Sequence, residues 1–423
     1  MRAVGVLLAL CQVAALGQIA ALSSNGLDLN ALVAEALANN REIAAAQKRL
    51  EAARQRPRQA GSLPDPTFSA GFAGNGYPYP GAGLGKEATS NIGVSVTQPI
   101  PYPGKRQLRE NVAAKDAAVE AFDYQQVQLN VVRRLKQAFF RLLHAYDATE
   151  VLGRNREVLT QLLRATEARY AAGKAMQQDI FKNQMQLSLL EVKILQFQQE
   201  RTAAEAELLA LLNRPPGSLL PPPTDIIPMD ITVGLEELYA HAVNQAPALQ
   251  REQKLVERSE VALNLTRKSY YPDYSITGGY YNQGSFPPMY TVRFDMTVPS
   301  YYFRKQRAAV TEQYDDLAAA RRGFEAADQT IHAQIRADYT AAKTAFQLMT
   351  LYRNTAIPQA QLALESSLSS YQTGAIDFLP VLTNYLAIVE IELSYHDQMQ
   401  NFREALSRLE ESTGLTLIQG ATP

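Results

Sequence analysis

The sequence predicts an α+β membrane protein: one helix–strand–strand–long helix–helix unit present twice, with too few strands per chain to close a barrel. Three observations predict it. Related segments recur about 200 residues apart. Four segments alternate apolar and polar residues over roughly 9 to 10 positions, the length that crosses a bilayer when tilted. After each strand pair comes a stretch nearly free of proline, long enough for about 100 Å of helix at 1.5 Å per residue.

The chain opens with Arg2, the apolar run Ala3 to Leu10 and then small residues. Ala15-Leu16-Gly17 before Gln18, or Ala21, offers a cleavage position, so residues 1–21 read as a secretory signal segment. Its apolar core is under about 15 residues, too short for a membrane anchor, and no later segment reaches the span of a transmembrane helix. Cys11, the single cysteine, allows a lipid-attachment reading, but Leu10 stands where a small residue is wanted before it. With Cys11 removed, disulfide and thiolate chemistry are excluded.

The repeat follows. L-N-A-L-V-A-E-A-L-A-N-N from Leu29 opens a helix expected to run to Gln59, and L-E-E-L-Y-A-H-A-V-N-Q-A from Leu235 answers it. L-P-D-P-T-F from Leu63 returns as Y-P-D-Y-S-I from Tyr271. P-Y-P-G-K-R-Q ending at Gln107 returns as P-S-Y-Y-F-R-K-Q ending at Gln306. Tyr170-Ala171-Ala172-Gly173 corresponds to Tyr371-Gln372-Thr373-Gly374. The expected boundaries are a first unit over 22–214, a proline-rich linker over 215–231, a second unit over 232–415 and a tail over 416–423. The Pro221-Pro222-Pro223 core keeps the linker non-helical.

Strands are expected at about 66–75, 90–99, 273–282 and 289–299 from their alternation, as in Tyr290, Val292, Phe294 and Met296 against Thr291, Arg293 and Asp295. Loops over Gly76 to Lys86 and Asn282 to Met289 join each pair. Lys105 to Ala172 holds no proline and one glycine, Gly153, and Pro358 predicts a bend in the second long helix. Leu187, Leu190, Ile194, Phe197, Arg201, Ala204, Leu208 and Leu211 step alternately by three and four, a coiled-coil seam with one charged break.

Four strands cannot stand alone in lipid, because an open edge leaves backbone groups unpaired in hydrocarbon. Barrels of this kind start at about eight strands, so oligomerisation is required. Two copies give a barrel plugged by side chains, and three leave room for a passage.

The order of elements, the duplication, the P-D-P and Y-P-D strand openings, V-T-Q-P-I-P-Y-P-G-K-R and the Y-x-x-G turns together resemble the TolC-like outer-membrane efflux protein family over about Leu27 to Leu415. The Q-P-I-P-Y-P-G-K-R stretch within it is similar to the heavy-metal branch. The resemblance implies a homotrimer in the cell outer membrane, with a twelve-stranded transmembrane β-barrel and a long α-helical tunnel reaching into the periplasm. It implies a passive channel for small molecules or metal ions, partnered by a periplasmic adaptor (membrane fusion) protein and an inner-membrane transporter. Within that architecture the outer component of a type I protein-secretion system is the neighbouring reading, and a soluble periplasmic coiled-coil scaffold is the reading from another class.

The resemblance also points to gate residues just after the Y-x-x-G turns. Asp179 falls where the family places a gate aspartate. In the second unit Pro380 and Thr383 occupy the matching acidic positions, Asp377 is the nearest carboxylate, and Ile376 sits where a gate arginine belongs. Three copies each of Asp179 and Asp377 are expected to line the narrow end and attract cations, the competing role being helix capping. Tyr270, Tyr271, Tyr280, Tyr281, Tyr301 and Tyr302 bracket the second strand pair as an aromatic girdle would.

Other chemistries fare poorly. Basic and acidic residues number 41 and 42, so no basic excess suggests a nucleic-acid partner. The four histidines are scattered, and each reads as a helix-surface or seam residue rather than a metal ligand. Gly81-Ala82-Gly83-Leu84-Gly85-Lys86-Glu87 has the wrong glycine spacing for a phosphate loop, and Glu87 stands where a metal-binding hydroxyl belongs. No nucleophile elbow, paired-carboxylate motif or metal signature is present, so neither enzyme activity nor a cofactor is expected, and the driving energy must come from a partner.

Overall fold

The structure is a computed structural model that describes residues 26–74 and 79–418. The signal segment with Cys11, and the last residues of the tail, lie outside the described residues. The elements in chain order are α1 (Leu29–Asn39), α2 (Arg41–Ala53), α3 (Arg56–Gly61), β1 (Thr67–Ala73), β2 (Asn91–Ile100), α4 (Lys105–Ala171), α5 (Gln177–Leu211), α6 (Leu235–Gln245), α7 (Pro247–Arg267), β3 (Asp273–Gln283), β4 (Phe286–Thr297), α8 (Lys305–Leu351), α9 (Ile357–Thr373) and α10 (Phe378–Thr413). The order helices, two strands, long helix, helix occurs twice.

The opening helix of each half is broken where the sequence reading ran it straight through. In the first half Asn40 interrupts it: its Oδ1 accepts from the N–H groups of Glu42 (2.8 Å) and Ile43 (3.2 Å), capping α2. The equivalent break in the second half falls at Ala246-Pro247, with proline in the first turn of α7. Asn40 also donates through Nδ2 to the carbonyl of Leu211 at 2.8 Å, so the same side chain holds the junction of α1 and α2 at the end of α5.

The chain divides into two compact units, one holding residues up to Ala44, Val127–Ala242 and from His332 on, the other Ala45–Gln126 and Val243–Ile331. The first is helical. Its core is built from the inward stripes of α4, α5, α9 and α10, with Leu152, Leu159, Leu190, Ile194, Tyr371, Val381 and Tyr385 in one buried cluster. In the predicted α5 seam, Ala204, Leu208 and Leu211 are buried and Arg201 lies over the ring of Tyr146 at 5.4 Å. The second long helix is interrupted just before Pro358: a single π-helical turn, Tyr352–Ala356, separates α8 from α9, and the N–H that Pro358 lacks is one the α-helical ladder would need. Gly323 leaves α8 uninterrupted.

Polar side chains, buried Arg403 foremost, tie this unit's loops to its helices. Arg403 donates to Asp225 Oδ1 (3.0 Å) and to the carbonyl of Ile226 (2.5 Å), pinning the linker to α10. Burial draws this guanidinium below its ordinary pKa, and Asp225 and Asp147 oppose the shift. Arg214 makes a two-pronged pair with Glu35 at 2.7 and 2.6 Å. Leu27 bridges to Pro223, so the linker also meets the start of the described chain.

The second unit carries one four-stranded antiparallel sheet in the order β1-β2-β3-β4, in which the hairpin of each half meets the other through β2 and β3. Register gives its faces directly. Phe68, Val96, Gly278 and Val292 form one cross-strand row and Ala70, Val94, Tyr280 and Tyr290 the next, all on one face. Thr67, Thr97, Thr277 and Arg293 form a row on the other, where Thr97 and Thr277 hydroxyls bond at 2.9 Å. The apolar face is uncovered: Phe68 is 76% exposed, Val292 85% and Phe294 63%.

One strand boundary differs from expectation. The loop read over Asn282 to Met289 is a two-residue turn at Gly284-Ser285, and β4 begins at Phe286, including Pro287 and Pro288. Prolines are tolerated there because β4 is an edge strand and a bulge lies opposite, between Tyr281 and Gln283. The loop of the first hairpin clasps this turn. Gly85 donates its N–H to the carbonyl of Gln283 at 3.0 Å. A Cβ at Gly284, where φ is +75°, would lie 2.5 Å from the Gly85 nitrogen, so glycine is required by both conformation and space.

Candidate functional site at the helix turns and the sheet face

Both long hairpins end in the same turn. Gly173 and Gly374 adopt φ of +72° and +84°, their N–H groups bond the carbonyls of Tyr170 (2.9 Å) and Tyr371 (3.0 Å), and the next residues close the wider bonds Lys174 to Arg169 and Ala375 to Ser370. This is the glycine-terminated helix end that the Y-x-x-G spacing encodes.

The two turns enclose a cleft of about 430 Å³ lined by Arg169, Lys174, Asp179, Lys182, Tyr371 and Asp377 among others. Asp179 is the third residue of α5, and its Oδ2 accepts the N–H of Met176 at 3.3 Å, so it caps its own helix while facing the cleft. Asp377 is the N-cap of α10, yet its side chain makes no capping hydrogen bond. Thr383 lies further along α10, returns its hydroxyl to the Leu379 carbonyl at 3.0 Å and does not line the cleft. Two of the three gate positions are therefore brought together and the third is not.

Sequence reading missed the residue that joins the turns. Arg169, near the end of α4, donates to the Tyr371 carbonyl and to the Lys174 carbonyl (3.3 Å), and its guanidinium lies 4.3 Å from the Tyr371 ring centroid. One cation thus engages the carbonyl ends of both hairpins, where helix dipoles favour positive charge. Tyr371 is itself locked: it is 2% exposed, and its hydroxyl donates to Thr166 Oγ1 at 3.2 Å. The cleft also holds Lys174 and Lys182, so its two carboxylates face three cationic groups rather than an acidic surface alone.

The tyrosines do not form one ring. Tyr270, Tyr271, Tyr301 and Tyr302 gather where strands give way to helices, with Tyr271 stacked on Tyr102 at 4.5 Å and Lys268 Nζ 5.2 Å from the Tyr271 ring. Tyr280 stands near the hairpin end on the apolar face, 5.5 Å from Tyr290. Tyr281, next along the strand, must project from the opposite face. It packs over Gly93 and Gly279 and cannot join a girdle on the apolar side.

His144 and His396 answer one another across α4 and α10. His144 Nε2 lies 2.9 Å from Asp397 and His396 Nδ1 lies 3.4 Å from Asp147. Among the described residues no group of three or more His, Cys, Asp or Glu is placed to hold a metal, and no helix is long and apolar enough to cross a membrane.

Residues 32–214 match the family model described as outer membrane efflux protein. No curated protein sequence matches the chain. Several solved structures share its fold. A membrane protein from Pseudomonas aeruginosa superposes with a TM-score of 0.79 at 18% identity, over 91% of this chain and 90% of that one. The outer membrane protein VceC from Vibrio cholerae gives 0.77 at 18%, over 91% and 96%. CusC, described for its folding and transmembrane channel formation, gives 0.77 at 14%, over 93% and 95%. At such identities the likeness is one of fold, and residues 32–214 carry the sequence similarity to the outer membrane efflux protein family.

Proposed function

We propose that three copies of this chain close a barrel in the outer membrane and serve as the passive exit channel of a tripartite efflux system. The observation that carries this reading is the sheet. Four strands whose outer edges are unpaired and whose apolar face is uncovered among the described residues are stable in hydrocarbon only if other copies complete the wall. Three times four gives twelve strands, enough for an interior passage lined by the threonine and serine face. In this reading the chain consists of two tandem efflux-protein units, 22–214 and 232–415, joined by the linker over 215–231 and preceded by a signal segment over 1–21. The helices form a periplasmic tunnel that meets an adaptor protein, and an inner-membrane transporter supplies the energy. Small molecules or metal ions are the cargo.

Outer membranes carrying the chain should yield an oligomer on unheated gels that collapses on boiling to a monomer lighter than the 46.7 kDa full chain by its signal segment. A soluble monomer in the periplasmic fraction would overturn the reading.

The turns form the narrow end in this reading, and three copies of each cleft surround the axis. Substituting Asp179 and Asp377 together with alanine is expected to raise single-channel conductance or weaken block by multivalent cations in planar bilayers. Unchanged conductance and block would leave these carboxylates the capping role alone.

A further inference from the structure

A second charged cleft lies in the sheet-bearing unit, where the strands give way to α4 and α8. Two adjoining hollows of about 350 and 390 Å³ share Lys105, Ser269, Asp273, Lys305 and Gln306, and Arg109 completes the first. The charges do not balance. Lys105 is buried and committed, donating to Asp273 Oδ1 (2.8 Å) and the Tyr271 carbonyl (2.9 Å). Asp273 is the only carboxylate lining either hollow; Lys105 bonds it and Arg109 acts on it only through charge, so with Lys305 three cations share one carboxylate, and neither Arg109 nor Lys305 has a side-chain hydrogen bond among the described residues. Glu110, beside Arg109 in sequence, turns instead toward Gly61, whose added Cβ would lie 2.8 Å from its carboxylate.

Two further features point the same way. The Ser269 hydroxyl is a buried potential donor lining the cleft with no partner among the described residues, an arrangement that costs free energy unless an acceptor fills it. Neither α4 nor α8 carries an acidic residue in its first turn, and each begins with lysine at the positive end of its dipole. Both helices thus forgo the favourable choice at the same place in each half. A bound anion would reverse the sign of that cost.

We propose that this cleft binds an oxyanion, a phosphate or carboxylate group held by Arg109 and Lys305 with the Ser269 hydroxyl donating. Asp273 and Thr297 stand opposite one another at the end of the polar face that bears Thr277 and Arg293, so the cleft opens on the side that the channel reading assigns to the lumen. The anion is therefore a solute in transit, and three copies form a cationic station in the passage. Its place in a lumen rests on the channel reading; the binding does not.

The test is calorimetric titration of inorganic phosphate into the full chain in phospholipid-free dodecyl maltoside. Saturable binding is expected, weakened on the order of tenfold or more in R109Q/K305Q. It should be retained in R109K/K305R and in K48Q, which alters a surface lysine elsewhere. Binding with no pore in planar bilayers supports the cleft assignment and removes the channel reading. Absence of wild-type binding, equal affinity in R109Q/K305Q, or binding seen only after phosphatidylglycerol is added would each overturn the proposal.

Discussion

Replacing Glu410 with alanine is expected to destabilise the helical unit by about 3–5 kcal/mol, the range found when one partner of a buried ion pair is removed. Oε2 of Glu410 meets Lys136 Nζ at 2.5 Å, and the two side chains are only 9% and 8% exposed. Its other oxygen accepts the N–H groups of Leu417 and Ile418, both at 2.7 Å, and so holds the chain beyond α10 against the bundle. Alanine leaves an ammonium and two amides without partners in a dry site. Glu257→Ala makes the comparison. Lys115 first, and then Lys254, hold the Glu257 carboxyl below its ordinary pKa, but the side chain is 28% exposed, about three times as open as Glu410, and its loss should cost about 1 kcal/mol. Denaturant midpoints of the two variants in detergent, with hydrogen exchange at Leu417 and Ile418, measure the difference. Equal midpoints would show that the Lys136 site is wet.

The sequence exposed the features that repeat along the chain. Strand alternation survives because neither face is averaged away by a complex core, and the α5 seam survives because adjacent long helices need a continuous stripe. Punctuation was harder. Asn40 breaks its helix as firmly as Pro247 does, yet an asparagine in a helical pattern carries no such warning until its two capping bonds are seen. Pro287 and Pro288 misled in the other direction. They read as loop because proline removes a ladder donor, and they are harmless because they fall at the bulge opposite Tyr281 and Gln283, where β3 offers them no ladder partner.

The candidate site divides along the same line. The turns were legible, since Y-x-x-G states its own backbone geometry. Arg169 was not, because it acts through main-chain carbonyls of two distant turns, and such acceptors leave no mark on residue identity. The tyrosine girdle was overdrawn for a simpler reason: Tyr280 and Tyr281 are adjacent in a strand, and adjacency in a strand means opposite faces.

That alternation gives the second large effect. Val292 sits at the middle of β4 and is 85% exposed; its partner across β3 is Gly278, so it makes little contact within its own chain. In water, arginine at such a position would be nearly neutral. If the apolar face meets lipid, Val292→Arg places a charge near the bilayer midplane and should cost about 2–4 kcal/mol. Thr291→Arg, one residue away, projects from the polar face beside Ser69, Ser95 and Gly279 and should be close to neutral. The difference between neighbours removes any general effect of arginine on β propensity or expression, because both variants carry it. Urea unfolding of the protein folded into lipid vesicles would read the gap directly. Similar costs at the two positions would mean that neither face is committed to hydrocarbon, and the bare edges of the sheet would then need a cover other than neighbouring copies in a membrane.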